Sequence, residues 1–260
     1  MTKRICPGNE PQGLRCCSHK FSWLLEKPIA HRGLHSPGMP ENSLAAFREA
    51  VRLGYAIELD VRRTRDNILV VFHDRNLLRM TGQDRILDTL SFAELRQFRL
   101  QDTDERIPTL AEVLSAVDGR TGLLIEVKTH EDIGRTELQL AMMLDTCPGD
   151  FAIASFDPAI LRWFQKNRPG WIRGQIIGRP QPGAIGRLRH LHLLLRLVPP
   201  FSRPDFIACE CTGIGLLTRC MTTLFRIPLL AWTVRDAATV KAMKGAAANI
   251  IFEGFRCPKR

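Results

Sequence analysis

What most constrains this chain is an alternation. From about residue 28 onward, short apolar runs with strand character take turns with amphipathic runs of helical period. The strand candidates are "PIAHRG", "AIELDV", "NILVVFH", "GLLIEVK", "DFAIASF", "WIRGQIIG", "DFIACE", "PLLAWTV" and "NIIFEG". Between them lie helix candidates such as "MPENSLAAFREAVRLG", "IPTLAEVLSAVD", "RTELQLAMMLD" and "PAILRWFQKN". The first of these carries its own start and stop signals: Asn42 or Ser43 can cap it, and Gly54 ends it. In the second, Leu110, Val113, Leu114 and Val117 fall on one face. "SFAELRQF" reads as a small helix that Ser91 caps, and "FSWLLEKP" as a short apolar helix ahead of the first strand.

Repeated strand–helix units dictate a parallel sheet, because parallel strands need a crossover between them. About eight of them, with "NILVVFH" as an extra hairpin partner of the second strand, point to an α/β fold closed on itself, the TIM (β/α)8 barrel. The length of 260 residues suits one such barrel. An open doubly wound sheet is the alternative. It is weakened by the lack of G-x-G-x-x-G after the first strand and of G-x-x-x-x-G-K anywhere.

Residues 1–20 are polar with Gly and Pro and are expected to form a disordered tail, leaving residues 21–260 as one domain. The tail has no apolar core of the signal-peptide kind, and no run of 18 apolar residues occurs, so no transmembrane segment is expected and the cytoplasm is the default location. Thirty-seven basic residues against 27 acidic ones give a formal net charge of +10, which favours anionic partners. The arginines are spread rather than blocked, so no specific nucleic-acid partner is expected. "GRLRHLHLLLRLVPPFSR" is both basic and apolar; it reads as an amphipathic barrel helix or as a weak membrane-surface contact. The eight cysteines match no zinc spacing and are read as reduced thiols.

In a barrel of this type, chemistry gathers at the carboxyl ends of the strands. Here those ends carry His31-Arg32-Gly33, Glu58-x-Asp60, His73-Asp74 and Glu126-x-Lys128, and later Ser155, Glu210, Trp232 and Glu253. Glu58 and Asp60, two apart on a strand, face the same way. If that way is the lumen, Glu126 from the next strand joins them, and three carboxylates so placed call for a hard divalent cation such as Mg²⁺ or Ca²⁺. His31 and His73 supply an acid/base pair near neutral pH. Arg32 and Lys128 suit phosphate oxygens. Each element also has an ordinary reading: a solvated strand face for the two acids, a strand-end cap for His73, a same-face ion pair for Glu126 and Lys128, and a turn for His31-Arg32-Gly33.

In order and spacing, "AHRG", "PENSLAAF", "GYAIELDVRRTRDN", "VVFHDRNLLRMTG", "IPTLAEVL" and "LLIEVK" resemble the glycerophosphodiester phosphodiesterase family, of the phospholipase-C-like phosphodiesterase superfamily. The resemblance is dense from Ile29 to Lys128 and thinner through "ASFDP", "RPDFIA", "AWTVRD" and "NIIFEG". It implies metal-dependent hydrolysis of small-molecule glycerophosphodiesters to glycerol 3-phosphate and an alcohol. His31 and His73 match the family's catalytic histidines, Glu58, Asp60 and Glu126 its metal ligands, and Arg32 and Lys128 its phosphate contacts. Trp232 matches an aromatic position that packs on glycerol, and residues 75–107 match a small insertion over the barrel mouth. A lysophospholipase-D-like activity is the alternative enzyme, and an inactive phosphodiester-binding protein the alternative of another class. The chain departs from the family at "IIFEGFRCPKR", where many members carry a Thr-Asp-x-Pro-like strand end and a closing helix, so that helix is expected to be missing or replaced.

Overall fold

Eight parallel strands close on themselves in the structure, a computed structural model that describes residues 18–178 and 203–258. In chain order the strands are β1 (Ile29–Ala30), β2 (Ala56–Arg63), β3 (Leu69–Val71), β4 (Leu123–Val127), β5 (Phe151–Ser155), β6 (Arg173–Ile177), β7 (Phe206–Glu210), β8 (Leu229–Val234) and β9 (Asn249–Phe252). Neighbours run β1-β9-β8-β7-β6-β5-β4-β2, and a β1–β2 pairing shuts the ring. The closed barrel expected from the alternation is therefore present, and the open sheet is not.

The ninth strand is the hairpin partner. On β2, β1 takes only Ala56 and Ile57 at the start of the strand, while β3 pairs antiparallel with Val61 to Arg63 at its end. One edge of a long strand thus serves two short ones. This is why the chain after β3 emerges at the barrel mouth.

Among the described residues the α-helices are α1 (Ser18–Glu26), α2 (Leu44–Arg52), α3 (Leu78–Thr81), α4 (Phe92–Leu95), α5 (Leu110–Val117), α6 (Arg135–Leu144), α7 (Pro158–Asn167), α8 (Leu216–Leu224) and α9 (Ala237–Met243). Of the two caps open for α2, Ser43 is used: its hydroxyl accepts from the Ala46 N–H. Ser91 with Glu94 and Thr109 with Glu112 form capping boxes on α4 and α5. Residues 1–17 of the expected tail, and residues 186–202 of the basic apolar stretch expected to form an amphipathic helix or a membrane-surface contact, lie outside the described residues.

Strand alternation sorts the core into two layers. Ile57, Leu59, Val61 and Ile125 point outward, against Phe47 of α2 and Leu110 and Val113 of α5. Ala56, Leu124, Ala152, Phe206 and Leu230 point inward and fill the lower lumen. Two glycines make room there. A Cβ on Gly122 would lie 2.1 Å from the ring of Trp23 in α1, and one on Gly174 2.1 Å from the ring of Phe206. Trp23 belongs to this inner cluster and seals the bottom of the barrel, so what remains open is the top.

Residues 75–107 carry a small apolar cluster of their own, with Leu77, Met80, Leu87, Leu95 and Leu100 packed on Val70 and Phe72. No helix follows β9 among the described residues; Tyr55 Oη instead donates to the Cys257 carbonyl at 2.5 Å. No helix among them is long and apolar enough to cross a membrane.

Candidate active site

Glu58 and Asp60 face the lumen, as same-face residues of β2 must if Ile57 and Leu59 face the helices. Both are buried, which excludes the solvated-edge reading. β2 and β4 are in register with Asp60 beside Glu126. One oxygen from each of Glu58, Asp60 and Glu126 lies within 4.8 Å of the others. Sequence order and sheet register thus bring the three carboxylates to one point.

The turn after β1 is folded around this cluster. Arg32 and Gly33 both have positive φ, at 56° and 80°. At Gly33 the cost is avoided by glycine, and a Cβ there would in any case lie 2.9 Å from that of Ala46. The turn aims the Arg32 N–H at Glu58 Oε2 (2.9 Å) and its guanidinium at Asp60 (Nε–Oδ2, 3.4 Å) and Glu41 (2.7 Å). Asn42, released from capping, donates from Nδ2 to Asp60 Oδ2 at 2.8 Å.

Lys128 places its ammonium 2.7 Å from Asp60 Oδ1 and in contact with Glu126 Oε1. The same-face ion pair expected of Glu126 and Lys128 is there, but it extends across the strands to Asp60. Burial works against charge on Asp60, yet Lys128 and Arg32 hold its carboxyl well below the usual range. Glu58 and Glu126 are pushed up, by burial first and then by Asp60. Two cations thus compensate Asp60 and leave the other two carboxylates short of positive charge. A hard divalent cation with oxygen ligands fits that deficit.

The two histidines reach the cluster from opposite ends of β2. His31 follows β1 directly. His73 follows β3, where the Phe72 N–H donates to the Asp60 carbonyl at 2.9 Å. Each has its Nδ1 against a carboxylate: His31 on Glu253 Oε2 (2.5 Å), His73 on Asp74 Oδ1 (2.6 Å). A carboxylate accepts, so Nδ1 carries the proton and Nε2 is left for chemistry. Burial lowers the pKa of both rings, against the pull of Glu253 on His31 and of Asp60 on His73. Arg79 anchors Asp74 at 2.6 Å and also bonds Glu41, so the Asp74 and Arg32 supports are joined.

Both histidines, Arg32, Glu58 and Glu126 line one lumen cavity of about 80 Å³. Its far wall is apolar: Ala154, Phe156, Ile176, Ala208 and Trp232. Trp232 stands edge-on to Phe156 at 5.8 Å, and its buried indole Nε1 has no hydrogen-bond partner among the described residues.

The residues singled out in the sequence (His31, Arg32, Glu58, Asp60, His73, Glu126, Lys128 and Trp232) are thus brought to one place. Glu253 and Glu41 received no role from the sequence, and Asn42 only that of a possible helix cap. Glu253 had a usable signal, an acid at the end of a lumen strand. Its meaning depends on β9 lying beside β1, which only barrel closure provides.

Residues 31–178 match the glycerophosphoryl diester phosphodiesterase family. The chain is 33% identical to the Bacillus subtilis protein YhdW over 241 residues, which is 87% of this chain and 93% of that one. It is 35% identical to the lysophospholipase D GDPD1 of Homo sapiens over 123 residues, 42% of this chain and 38% of the relative. Other curated relatives are likewise covered over less than half their length, at 34% and 44%. A solved phosphodiesterase of Oleispira antarctica, in complex with the product sn-glycerol-3-phosphate, superposes with a TM-score of 0.75 at 25% identity, over 90% of this chain and 94% of that one. A match across more than half of the chain, with a relative 33% identical over 87% of it, places it: this chain belongs to the glycerophosphoryl diester phosphodiesterase family.

Proposed function

We propose that the protein hydrolyses glycerophosphodiesters to glycerol 3-phosphate and an alcohol. The observation that carries this reading is the facing pair of histidine–carboxylate units, His31–Glu253 and His73–Asp74, on one cavity with three buried carboxylates. Family membership supports it.

A phosphodiester is anionic and repels nucleophiles, so catalysis requires positive charge at the phosphate and proton transfer on both sides of it. A divalent cation, Mg²⁺ or Ca²⁺, held by Glu58, Asp60 and Glu126 would supply such charge at a nonbridging oxygen. Arg32 and Lys128 supply more from the protein, already fixed by Glu41 and Asp60. One histidine takes the proton of the attacking hydroxyl at Nε2, and the other gives a proton to the departing alcohol oxygen. Their Nδ1 partners keep each ring in the tautomer and orientation this needs. Trp232 offers a flat apolar face and a free N–H donor to the glycerol moiety.

The test is phosphodiesterase turnover on glycerophosphocholine before and after chelation, with Mg²⁺ and Ca²⁺ added back separately. Loss and recovery are expected; turnover indifferent to chelator would remove the cation. Lysophosphatidylcholine in the same assay tests the lysophospholipase D reading, which the human relative's name favours.

A further inference from the structure

The lumen cavity, at about 80 Å³, has room for the reacting phosphate and little more. The rest of a diester has to leave it. On the β2–β4 side of the mouth opens a second recess of about 650 Å³, a volume usual for small-molecule sites. Lys128 belongs to its wall and to the Asp60 ion pair alike, so the recess begins where the phosphate would end.

The charges of its wall are nearly all spoken for. Lys128 contacts Asp60 and Glu126, Arg63 contacts Asp132, Arg75 lies 3.2 Å from Asp88, and His130 lies 3.1 Å from Glu137. Glu131 sits exposed on the rim, in water. Arg62 differs. It stands two residues beyond Asp60 on the same face of β2, and its Nε donates to the His73 carbonyl at 2.8 Å. Among the described residues no carboxylate lies within ion-pair distance of it, and its two Nη groups have no hydrogen-bond acceptor. A half-buried guanidinium fixed through Nε and open at Nη1 and Nη2 is a preformed fork for a planar or tetrahedral anion.

We propose that this recess receives the leaving alcohol and that Arg62 binds an anionic group carried by it. The preferred substrates would then be glycerophosphodiesters whose alcohol bears a second phosphate, over those bearing a quaternary ammonium. This rests on the diesterase reading given above and adds the class of head group to it. Arg62 acts here on specificity, with its Nε bond to His73 left to hold the histidine's backbone.

Binding tests this without turnover. The His73→Ala variant keeps the carbonyl that Arg62 uses and is expected to slow hydrolysis about 10²–10⁴-fold, enough for binding to be read. Its affinity for glycerophosphoglycerol phosphate and for glycerophosphocholine is measured by calorimetry. The phosphorylated head group is expected to bind about tenfold tighter or more, the worth of one charge-assisted hydrogen bond. Adding Arg62→Gln, whose amide can still donate to the His73 carbonyl, is expected to erase that preference and leave glycerophosphocholine within about twofold of its former affinity. Arg75→Gln, at a rim cation already paired with Asp88, is expected to change it far less. Equal affinities for the two diesters, or an Arg62→Gln change that weakens both alike, overturns the proposal. Failure of the wild-type enzyme to hydrolyse either diester is a separate result that counts against the diesterase reading alone.

Discussion

The two sides of the barrel mouth share a backbone and differ in almost everything else. On β1, β2, β4 and β9 the uppermost lumen positions are His31, Glu58, Asp60, Glu126 and Glu253. On β5 to β8 the residues that line the cavity are Ala154, Ile176, Ala208 and Trp232, with Glu210 standing one step above Ala208 at the end of β7. The division falls between neighbours: Glu126 of β4 is in register with Ala154 of β5. One sheet therefore supports a charged half and an apolar half at the same depth. The apolar wall offers the charges of the other half no compensation from its side, and burial lowers the pKa of His31 and raises those of Glu58 and Glu126. The charged half is built for chemistry, and the apolar half shapes and dries it.

The sharpest way to break this division is to take a proton carrier out of the charged half. His31→Ala and His73→Ala are each expected to lower kcat by about 10²–10⁴-fold, with an unchanged thermal midpoint. Wild-type turnover in either variant would falsify the assignment. The supporting carboxylate comes next. Glu253 touches His31 and is not part of the cavity lining, and His31 together with Arg235 and His35 holds it ionised despite its burial. Glu253→Ala is expected to cost kcat about 10- to 100-fold, the value of a hydrogen bond to a charged group, with KM little moved. Glu253→Gln, which still accepts from Nδ1, should recover part of the loss. A purely structural role would give equal losses in both variants and a lowered midpoint.

How much of this was legible beforehand follows the same division. The charged half was readable because its residues come in local pairs: Glu58-x-Asp60, His73-Asp74 and Glu126-x-Lys128 each lie within three positions, strand period fixes a common face for the first and the third, and direct adjacency brings Asp74 to His73. The closed barrel was readable from the count of strand–helix units. What could not be read was contact across the closure. His31 and Glu253 are 222 residues apart and meet only because β9 returns to β1. Asn42 looked like a cap because its type suits that place; with Ser43 taking the cap, it serves Asp60 instead. The apolar half was the least legible, since alanine and isoleucine at a strand end look the same in a lumen wall as in any core.

That apolar half should fail by volume and not by chemistry. Gly174 of β6 lies in register with Phe206 of β7, and a Cβ on it would sit 2.1 Å from the ring of that fully buried phenylalanine. Gly174→Ala is expected to destabilise by about 1–3 kcal/mol, the usual cost of overpacking, and to leave kcat within about twofold at temperatures where it stays folded. Denaturant midpoint and turnover, measured on one preparation, separate the two effects. A loss of turnover without loss of stability would show that the apolar wall does more than fill space.

The smallest expected effect belongs to a loop of the charged half and is visible only as a dependence on pH. His130, two residues past Lys128, has Nδ1 at 2.9 Å from the Lys128 carbonyl and Nε2 at 3.1 Å from Glu137, whose side chain is fully buried. The neutral ring can donate to one of these acceptors and the imidazolium to both, so Glu137 first and the carbonyl after it raise the His130 pKa above its ordinary value. A pKa that is higher folded than unfolded means the folded state holds the proton more tightly. The stabilisation is then complete below the unfolded value of about 6.5 and fades as pH rises through the raised folded value. His130→Gln should therefore lower stability by no more than about 1 kcal/mol at pH 6, and by less at pH 9. Gly174→Ala, which carries no titrating group, should cost the same at both. If the two variants showed equal pH dependence, the loop after β4 would be held by packing, and the electrostatic character of this half would end at Lys128.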